Sequence, residues 1–378
     1  MGVHRFPLVL ALLVGIPGQA RAISVEKLLG GGRLVAYVPR GYDPAAARAP
    51  SARGLRTDAE RLASIGFTAV TTYGASRELV PVCRFFKRRG FHTVLVGIAD
   101  PGDRAEVARA VRIKRCADGY VVGTSGVAEG RYGSAEVVRA IARVRSRTGR
   151  PVTTREPLAV YAGDATLVRA GDWVFPIIHP WSAGKRESQD ACGWTIFAYR
   201  DLAERAPAGV PTVVAESGLP TDGALATSEH YQRAFFLCLA SRQVPFAYFE
   251  AFDQRWRAPD GIGAHWGIFR ADGSPKLWAA QQVQPSLAID LQGTTIHGHV
   301  LHGVPDMLRV VAYVKAERWE VGPDVVLDRR GAWQLTVPPG RPVTLYVASR
   351  TWTPPPSVDR LPSVDRSAVF VQRELPAM

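Results

Sequence analysis

The residue with the clearest chemical potential is Glu216, a carboxylate that directly follows a short run of residues typical of a buried strand. Residues 211–215 read Pro-Thr-Val-Val-Ala, and Ser217-Gly218 then ends the strand pattern. A carboxylate at the carboxyl end of a buried parallel strand is the usual position for catalysis in closed parallel sheets. It can serve as a nucleophile or as a general acid or base. A strand-end Glu that caps the next helix is the structural alternative.

A second run, residues 244–252, shows the same change from apolar to acidic and aromatic residues. It contains Glu250 and continues into Asp253, Gln254, Trp256 and Arg257. Because the carboxyl ends of parallel strands meet at one face, these side chains are predicted to share a substrate-binding cleft with Glu216.

Together these two segments resemble glycoside hydrolase family 17, the family of β-1,3-glucanases and glucanosyltransferases. The resemblance spans residues 33–280 and is strongest at 118–132, 172–181 and 211–269. It implies a retaining mechanism, which needs a nucleophile and an acid/base carboxyl about 5–5.5 Å apart. In this resemblance Glu216 is the nucleophile.

The fourth strand departs from the family pattern at the residue that should supply the acid. The family segment resembles Val-Gly-Asn-Glu, whereas this chain has Val122-Gly123-Thr124-Ser125. A serine hydroxyl has no pKa near neutrality, so Ser125 cannot protonate a leaving sugar oxygen. Glu129 follows in the same loop and is the candidate substitute acid, with an exposed loop charge as the alternative.

The last strand departs too. Bacterial family members resemble Phe-Asp-Glu-Pro-Trp-Lys, whereas this chain has Gln254 in place of Glu and Arg257 in place of Lys. Lys and Arg are not interchangeable at a shaped site. The two neutral replacements, at 125 and 254, indicate a specialised or lost activity.

Aromatic side chains follow several predicted strands at the same end, where they can stack on sugar rings. Packing in the core or at the rim is the alternative for any one of them. The candidate substrate-binding aromatics are Tyr37, Tyr73, His179, Trp181, Trp256 and Trp266.

The elements that would position these residues alternate between short apolar strands and amphipathic helices, which is typical of parallel strands with crossover helices. Eight such units favour an α/β fold with a (β/α)8 TIM barrel at residues 33–284, since no G-x-G-x-x-G loop of a doubly wound sheet follows the first strand. The predicted strands are 34–39, 67–73, 92–98, 119–122, 151–154, 173–179, 212–216 and 245–252, and the clear helices are 58–65, 79–89, 104–116, 135–148 and 228–242.

Beyond residue 285 the hydrophobic period changes to strict alternation with Gly, Pro and Asp turns. This predicts a small C-terminal antiparallel β-domain at residues 286–350. Its strands are expected at 287–291, 295–299, 309–313, 333–337 and 343–348. The Pro-rich residues 351–378 are expected to form an extended, loosely packed tail.

The first 22 residues have the basic start, short apolar run and Ala20-Arg21-Ala22 ending of a secretory signal peptide, with an uncleaved anchor as the alternative. No later run approaches the roughly 18 apolar residues of a membrane span, so a soluble secreted or periplasmic protein is expected.

The four cysteines, at 83, 116, 192 and 238, allow three disulfide pairings. Cys83 and Cys238 lie in helical apolar patterns and are expected to be buried thiols.

The net charge of +13 comes from basic residues spread along the whole chain, which argues against a nucleic-acid partner and favours an anionic envelope or polysaccharide. His297, His299 and His302 lack nearby carboxylates or cysteines, so neither a metal nor a cofactor is predicted. The expected partner is β-glucan or a related polysaccharide. Two functions stay open: a glycoside hydrolase or glucanosyltransferase, and an impaired barrel that binds glucan without cleaving it.

Overall fold

The computed structural model describes residues 23–46, 49–282, 286–301, 308–328, 331–363, 369–375 and 377. The predicted signal peptide and His302 lie outside these residues. Eight parallel strands form a closed barrel in chain order, as predicted. They are β1 Arg33–Ala36, β2 Phe67–Thr71, β3 Thr93–Ile98, β4 Gly119–Thr124, β5 Val152–Pro157, β6 Pro176–Ile177, β7 Val214–Ser217 and β8 Phe246–Tyr248.

Helices surround this barrel because the segments between strands carry apolar residues at helical spacing. A short first helix instead precedes β1 and packs Leu28 against interior residues such as Leu34, Ala69 and Val121, which closes the amino-terminal end of the barrel. The helices are α1 Val25–Leu29, α2 Ala52–Ser64, α3 Val80–Arg88, α4 Arg104–Arg112, α5 Ser134–Thr148, α6 Leu158–Gly163, α7 Ala165–Ala170, α8 Ser188–Arg205, α9 Glu229–Ser241 and α10 Leu277–Gln282.

The eighteen-residue helix α8 is absent from the clear helical predictions. It buries small or polar side chains, among them Ala191, Thr195 and Ala198, while Phe197 is 71% exposed. The large apolar residues therefore do not mark the buried face, and the hydrophobic period is weak.

All four cysteines are paired, Cys83 with Cys116 and Cys192 with Cys238. The expectation that Cys83 and Cys238 are buried thiols is wrong. Burial in a helix leaves a cysteine free to bond one on a neighbouring segment, which a single-helix pattern does not indicate. Each bridge closes a loop of tens of residues, and the loss of chain entropy in the unfolded state stabilises the fold by about 4 kcal/mol.

The C-terminal residues form two antiparallel sheets, with strand orders β13-β10-β9 and β15-β12-β11-β14-β16. Their facing apolar side chains, such as Ile296 and Leu335 against Val310 and Leu345, make a separate core. The strands are β9 Ser286–Gln292, β10 Thr295–Leu301, β11 Leu308–Lys315, β12 Trp319–Val326, β13 Ala332–Thr336, β14 Val343–Ser349, β15 Ser357–Val358 and β16 Val369–Leu375.

The structure differs from the predicted loose tail at 351–378. Strand β16 pairs with β14, and β15 pairs with β12. The Pro-rich residues on both sides of β15 cover the outer face of the larger sheet, where the Tyr313 and Tyr346 hydroxyls donate to the carbonyls of Pro355 and Pro362 at 2.7 and 3.0 Å. Proline lacks an N–H but keeps a carbonyl acceptor, so a Pro-rich segment can still be fastened by tyrosines.

None of the helices in the described part of the chain is long and apolar enough to cross a membrane.

Candidate active site

Glu216 lies near the carboxyl end of β7 with only 5% of its surface exposed. Two cationic or potentially cationic groups contact its carboxylate. Arg155 Nε is 3.3 Å from Oε1, and His179 Nε2 is 3.2 Å from Oε2. The carboxylate is therefore held from both sides at the face of the barrel where the strands end.

Arg155 reaches Glu216 because it lies in β5 with its side chain pointing into the barrel, fully buried. Its Nη2 donates to Thr124 Oγ1 at 3.0 Å and to the Thr72 carbonyl at 3.2 Å. Its guanidinium carbon lies 4.0 Å from the centre of the Tyr73 ring. These contacts across β2, β4 and β5 fix the guanidinium against the nucleophile candidate.

His179 follows the short strand β6, and its ring packs against two aromatics of the β8 side, Phe249 at 4.7 Å and Trp266 at 5.2 Å between ring centres. Burial by itself would raise the pKa of Glu216. The hydrogen bond from His179 and the positive charge of Arg155 outweigh burial and lower that pKa below its usual value. Glu216 is thus ionised at neutral pH, as an attacking carboxylate must be.

The pKa of a second buried carboxyl, that of Glu250, is shifted in the opposite direction. Glu250 is completely buried, and Arg257 Nη1 donates to its Oε1 at 2.8 Å. Burial raises its pKa to about 8 against the lowering charge of Arg257, and the nearby negative charge of Glu216 adds to the rise. Two neighbouring carboxyls whose pKa values move apart are typical of catalytic sites.

Glu216 opens onto a cavity of about 490 Å³ between the ends of β4 and β7. Ser125 lines this cavity and has a positive φ of 54°, held by a hydrogen bond from its N–H to the Arg155 carbonyl at 3.0 Å. Glu216 is the one carboxylate among the described lining residues. The others are Pro157, Leu158, Ala159, Ile177, His179, Ser182, Ala183 and Trp194.

Glu129, the candidate substitute acid, is not brought to this cavity. Its side chain is 55% exposed and pairs with Arg131 at 2.6 Å. The loop turns it outward because Glu156, at the end of β5, accepts hydrogen bonds from the Val127 and Ala128 N–H groups at 3.2 and 3.4 Å. The structure therefore favours the alternative of an exposed loop charge.

The substituted residues of the eighth strand support the loop that follows it. Gln254 is buried and its Nε2 donates to the carbonyls of Val38 and Phe252 at 3.3 and 3.0 Å. An ionised Glu could not make these two bonds because it has no donor. Asp253 pairs with the buried Lys276 at 2.7 Å. Neither residue lines the cavity at Glu216.

The predicted aromatics divide into two groups. Trp181 and Trp266 pack near His179 in a cluster with Tyr73 and Phe249. Tyr37, Tyr73 and Trp256 line a second cavity, of about 260 Å³, together with Arg257. Tyr37 is only 1% exposed, and its hydroxyl donates to Asp58 at 3.0 Å, so it forms a wall and offers no open stacking face.

Two residues of the site were missed by the sequence analysis. Arg155 follows a strand-like run exactly as Glu216 does, so the strand-end rule could have found it. Trp194 lies on α8 and faces the cavity opposite the barrel strands. The weak hydrophobic period of α8 gave no signal for it.

A closed (β/α)8 barrel with a buried carboxylate at the end of β7 has the architecture that many glycosidases use. Residues 35–267 match the BtgE/BtgC glycoside hydrolase domain family. This chain belongs to that family.

Solved structures with the same fold include CJP38, a β-1,3-glucanase and allergen of Cryptomeria japonica pollen. It has 15% identity and a TM-score of 0.50, over 64% of this chain and 96% of that one. The exo-β-1,4-mannosidase Op5Man5 from Opitutaceae bacterium strain TAV5 has 12% identity and a TM-score of 0.48, over 66% and 58%. A β-glucuronidase of Ruminococcus gnavus has 15% identity and a TM-score of 0.41, over 62% and 47%. At such identities the first likeness shows the fold alone. None of the curated protein sequences matches the chain significantly.

Proposed function

We propose that this protein is a retaining glycoside hydrolase or glucanosyltransferase that acts on β-1,3-glucan outside the cytoplasm, with Glu216 as the nucleophile. The observation that carries the proposal is the ionised Glu216 carboxylate, held by Arg155 and His179 and facing a cavity of about 490 Å³. The resemblance to family 17 at residues 211–220 supports the substrate class. The signal-like residues 1–22 support export.

In the first step, one Glu216 oxygen attacks the anomeric carbon, and the bond to the leaving oxygen breaks with its electron pair on that oxygen. Arg155 and His179 keep the attacking carboxylate deprotonated and oriented. The Glu216 oxygen that does not attack becomes the carbonyl oxygen of the glycosyl ester and still accepts a hydrogen bond. Water or a sugar hydroxyl releases the glycosyl group in the second step.

A second candidate function is glucan binding without cleavage. It is favoured by Ser125, which lines the cavity where the family resemblance places the acid, and by the outward position of Glu129. Without a proton donor, native glucan with its poor leaving group loses about 10²–10⁴-fold in rate.

A β-laminaribiosyl fluoride separates the two candidates because fluoride leaves without protonation. We expect a covalent adduct on the intact protein by mass spectrometry, absent from Glu216→Gln. The adduct should persist, since Ser125 stands where the family resemblance places the residue that would activate water, and added azide should release β-laminaribiosyl azide. No adduct together with tight laminarin binding would establish the binding function instead. Rapid cleavage of laminarin by the unchanged protein would show that another residue delivers the proton.

A further inference from the structure

The cavity of about 260 Å³ lies beside the candidate active site, at the ends of β1, β2 and β3 and against the loop after β8. Its walls are mainly apolar or aromatic side chains, including Val38, Pro39, Leu79, Val82 and Trp256. An apolar cavity of roughly 150 Å³ is large enough for a benzene ring. This one therefore has room for a six-membered ring or a short alkyl chain.

Three polar side chains of the wall, those of Tyr37, Thr72 and Glu106, are already hydrogen-bonded within the protein, whereas the buried hydroxyls of Tyr73 and Ser76 have no hydrogen-bond partner among the described residues. The Tyr37 hydroxyl donates to Asp58, and Thr72 Oγ1 accepts from the Gly97 N–H at 3.0 Å. The Glu106 carboxylate accepts from three backbone N–H groups, at 2.7, 3.1 and 3.0 Å. A sugar ring has more hydroxyl groups than the Tyr73 and Ser76 hydroxyls can bond, so it would lose part of its hydrogen bonding to water, which disfavours it.

The cavity shares two residues with the surroundings of Glu216. The Tyr73 ring forms part of its wall and also lies on the Arg155 guanidinium that pairs with Glu216. Arg257 lines the cavity as well and bonds the buried Glu250. Ser125 and Trp194 line the other cavity, at β4 and α8. The acid/base residue of a retaining enzyme lies beside the leaving group, so the larger cavity, which contains Ser125, is on the leaving-group side. The smaller cavity lies on the opposite side of Glu216, where the donor sugar would bind.

We propose that this cavity binds an apolar substituent, an acyl or aryl group, carried by the donor sugar whose anomeric carbon faces Glu216. This inference rests on the proposed glycosidase function for the identity of the sugar. The apolar walls bind the substituent, while Arg257 and Tyr73 at the shared side contact the polar linkage. The protein would thereby select an acylated or aryl-substituted glycan over the plain one.

The cavity is tested first with p-cresol and n-hexanol alone, by calorimetry on the full chain. We expect saturable binding that Ala99→Phe abolishes, because Ala99 lines the cavity from an exposed position and a ring there fills it. Ala208→Phe, an exposed alanine in the turn after α8, is the matched control and should bind as the unchanged protein does. If Ala99→Phe fails to fold, Leu79→Trp fills the same space. Absence of probe binding by the unchanged protein overturns the proposal.

The link to the sugar is tested with methyl β-D-glucoside and its 2-, 4- and 6-O-acyl esters, from butanoyl to hexanoyl. One ester series should gain about fourfold in affinity for each methylene, and Ala99→Phe should remove the gain without changing the affinity for the plain glucoside. If the plain glucoside binds and no series gains, the proposal is overturned and the proposed function stands. If no glycoside binds while hexanol does, the proposed function fails and the cavity remains an apolar-ligand site without a donor sugar.

Discussion

At the scale of single residues, Arg155 contributes, with His179, to keeping the proposed nucleophile Glu216 ionised. It is fully buried and lies 3.3 Å from the carboxylate, and its charge opposes the rise in pKa that burial of Glu216 would cause. We expect Arg155→Met to raise the pKa of Glu216. The rate of covalent labelling by β-laminaribiosyl fluoride, measured against pH, should then begin to fall at a higher pH on the acidic side. Arg205→Met, which breaks an exposed pair with Asp201, is the control and should leave the profile in place.

Glu250 gives a prediction for stability. Its pKa rises from the model-peptide value of 4.5 to about 8, because it is buried. Between these values the folded carboxyl keeps its proton while the unfolded one is ionised, so the stability that Glu250 contributes is complete below 4.5 and falls as pH rises to about 8.

We expect the stability of Glu250→Gln not to show this fall with rising pH, because Gln keeps an acceptor for Arg257 and cannot ionise. Urea unfolding of the barrel between pH 4 and 9 measures it. The free energy of unfolding of the unchanged protein should fall by a few kcal/mol relative to the variant across the window. Glu60→Gln alters an exposed pair with Arg89 and should show no such relative change. Parallel curves for the unchanged protein and Glu250→Gln would contradict a raised pKa.

At the scale of elements, the proposed function makes the loop after β4 responsible for whether native glucan is cleaved. Ser125 lines the cavity of Glu216, and Thr124 Oγ1 accepts from Arg155. In Thr124→Asn with Ser125→Glu, the amide oxygen keeps that acceptor and the new carboxyl supplies a proton. We expect laminarin turnover to increase by about 10²–10³-fold, with the positive φ at 125 costing on the order of 1 kcal/mol in stability.

The matched control is Thr124→Asn with Ser125→Gln, which has the same shape and no acidic proton. It should leave laminarin turnover at the starting rate while still forming the fluoride adduct. Equal turnover by the Glu and Gln variants would mean that position 125 does not face the leaving oxygen.

At the scale of the whole molecule, the Pro-rich C-terminal segment is part of the β-domain. Strand β16 supplies one edge of the five-stranded sheet, and Trp352 and Leu361 pack on its outer face. A chain ending at Arg350 should lose hydrogen-exchange protection throughout β14, because β14 loses one of its two partners and its tyrosine is uncovered. Mass spectrometry of exchanged peptides measures this.

Tyr346→Phe is the milder comparison, since it removes only the hydrogen bond to the Pro362 carbonyl. It should cost about 1 kcal/mol and leave β14 protected. Unchanged protection of β14 in the shortened chain would mean that the segment is dispensable for the sheet.

The sequence alone determined the barrel and the position of Glu216. Strand and helix periods are local properties, and a carboxylate that ends a buried strand must lie at the mouth of a parallel barrel. The same local reasoning missed α8, whose buried face is made mostly of small residues, β12 and β15, whose side chains are largely exposed, and β16, which follows a Pro-rich segment.

Only the tertiary structure decided which groups meet. The pairing of Arg155 and His179 with Glu216, the outward turn of Glu129 and the two disulfides each join residues from different elements. Their distances depend on how strands and loops pack, and no period along the chain records that. Gln254 illustrates the difference: its sequence position indicated a lost acid, whereas its contacts show an amide that needs both of its donors to hold the loop after β8.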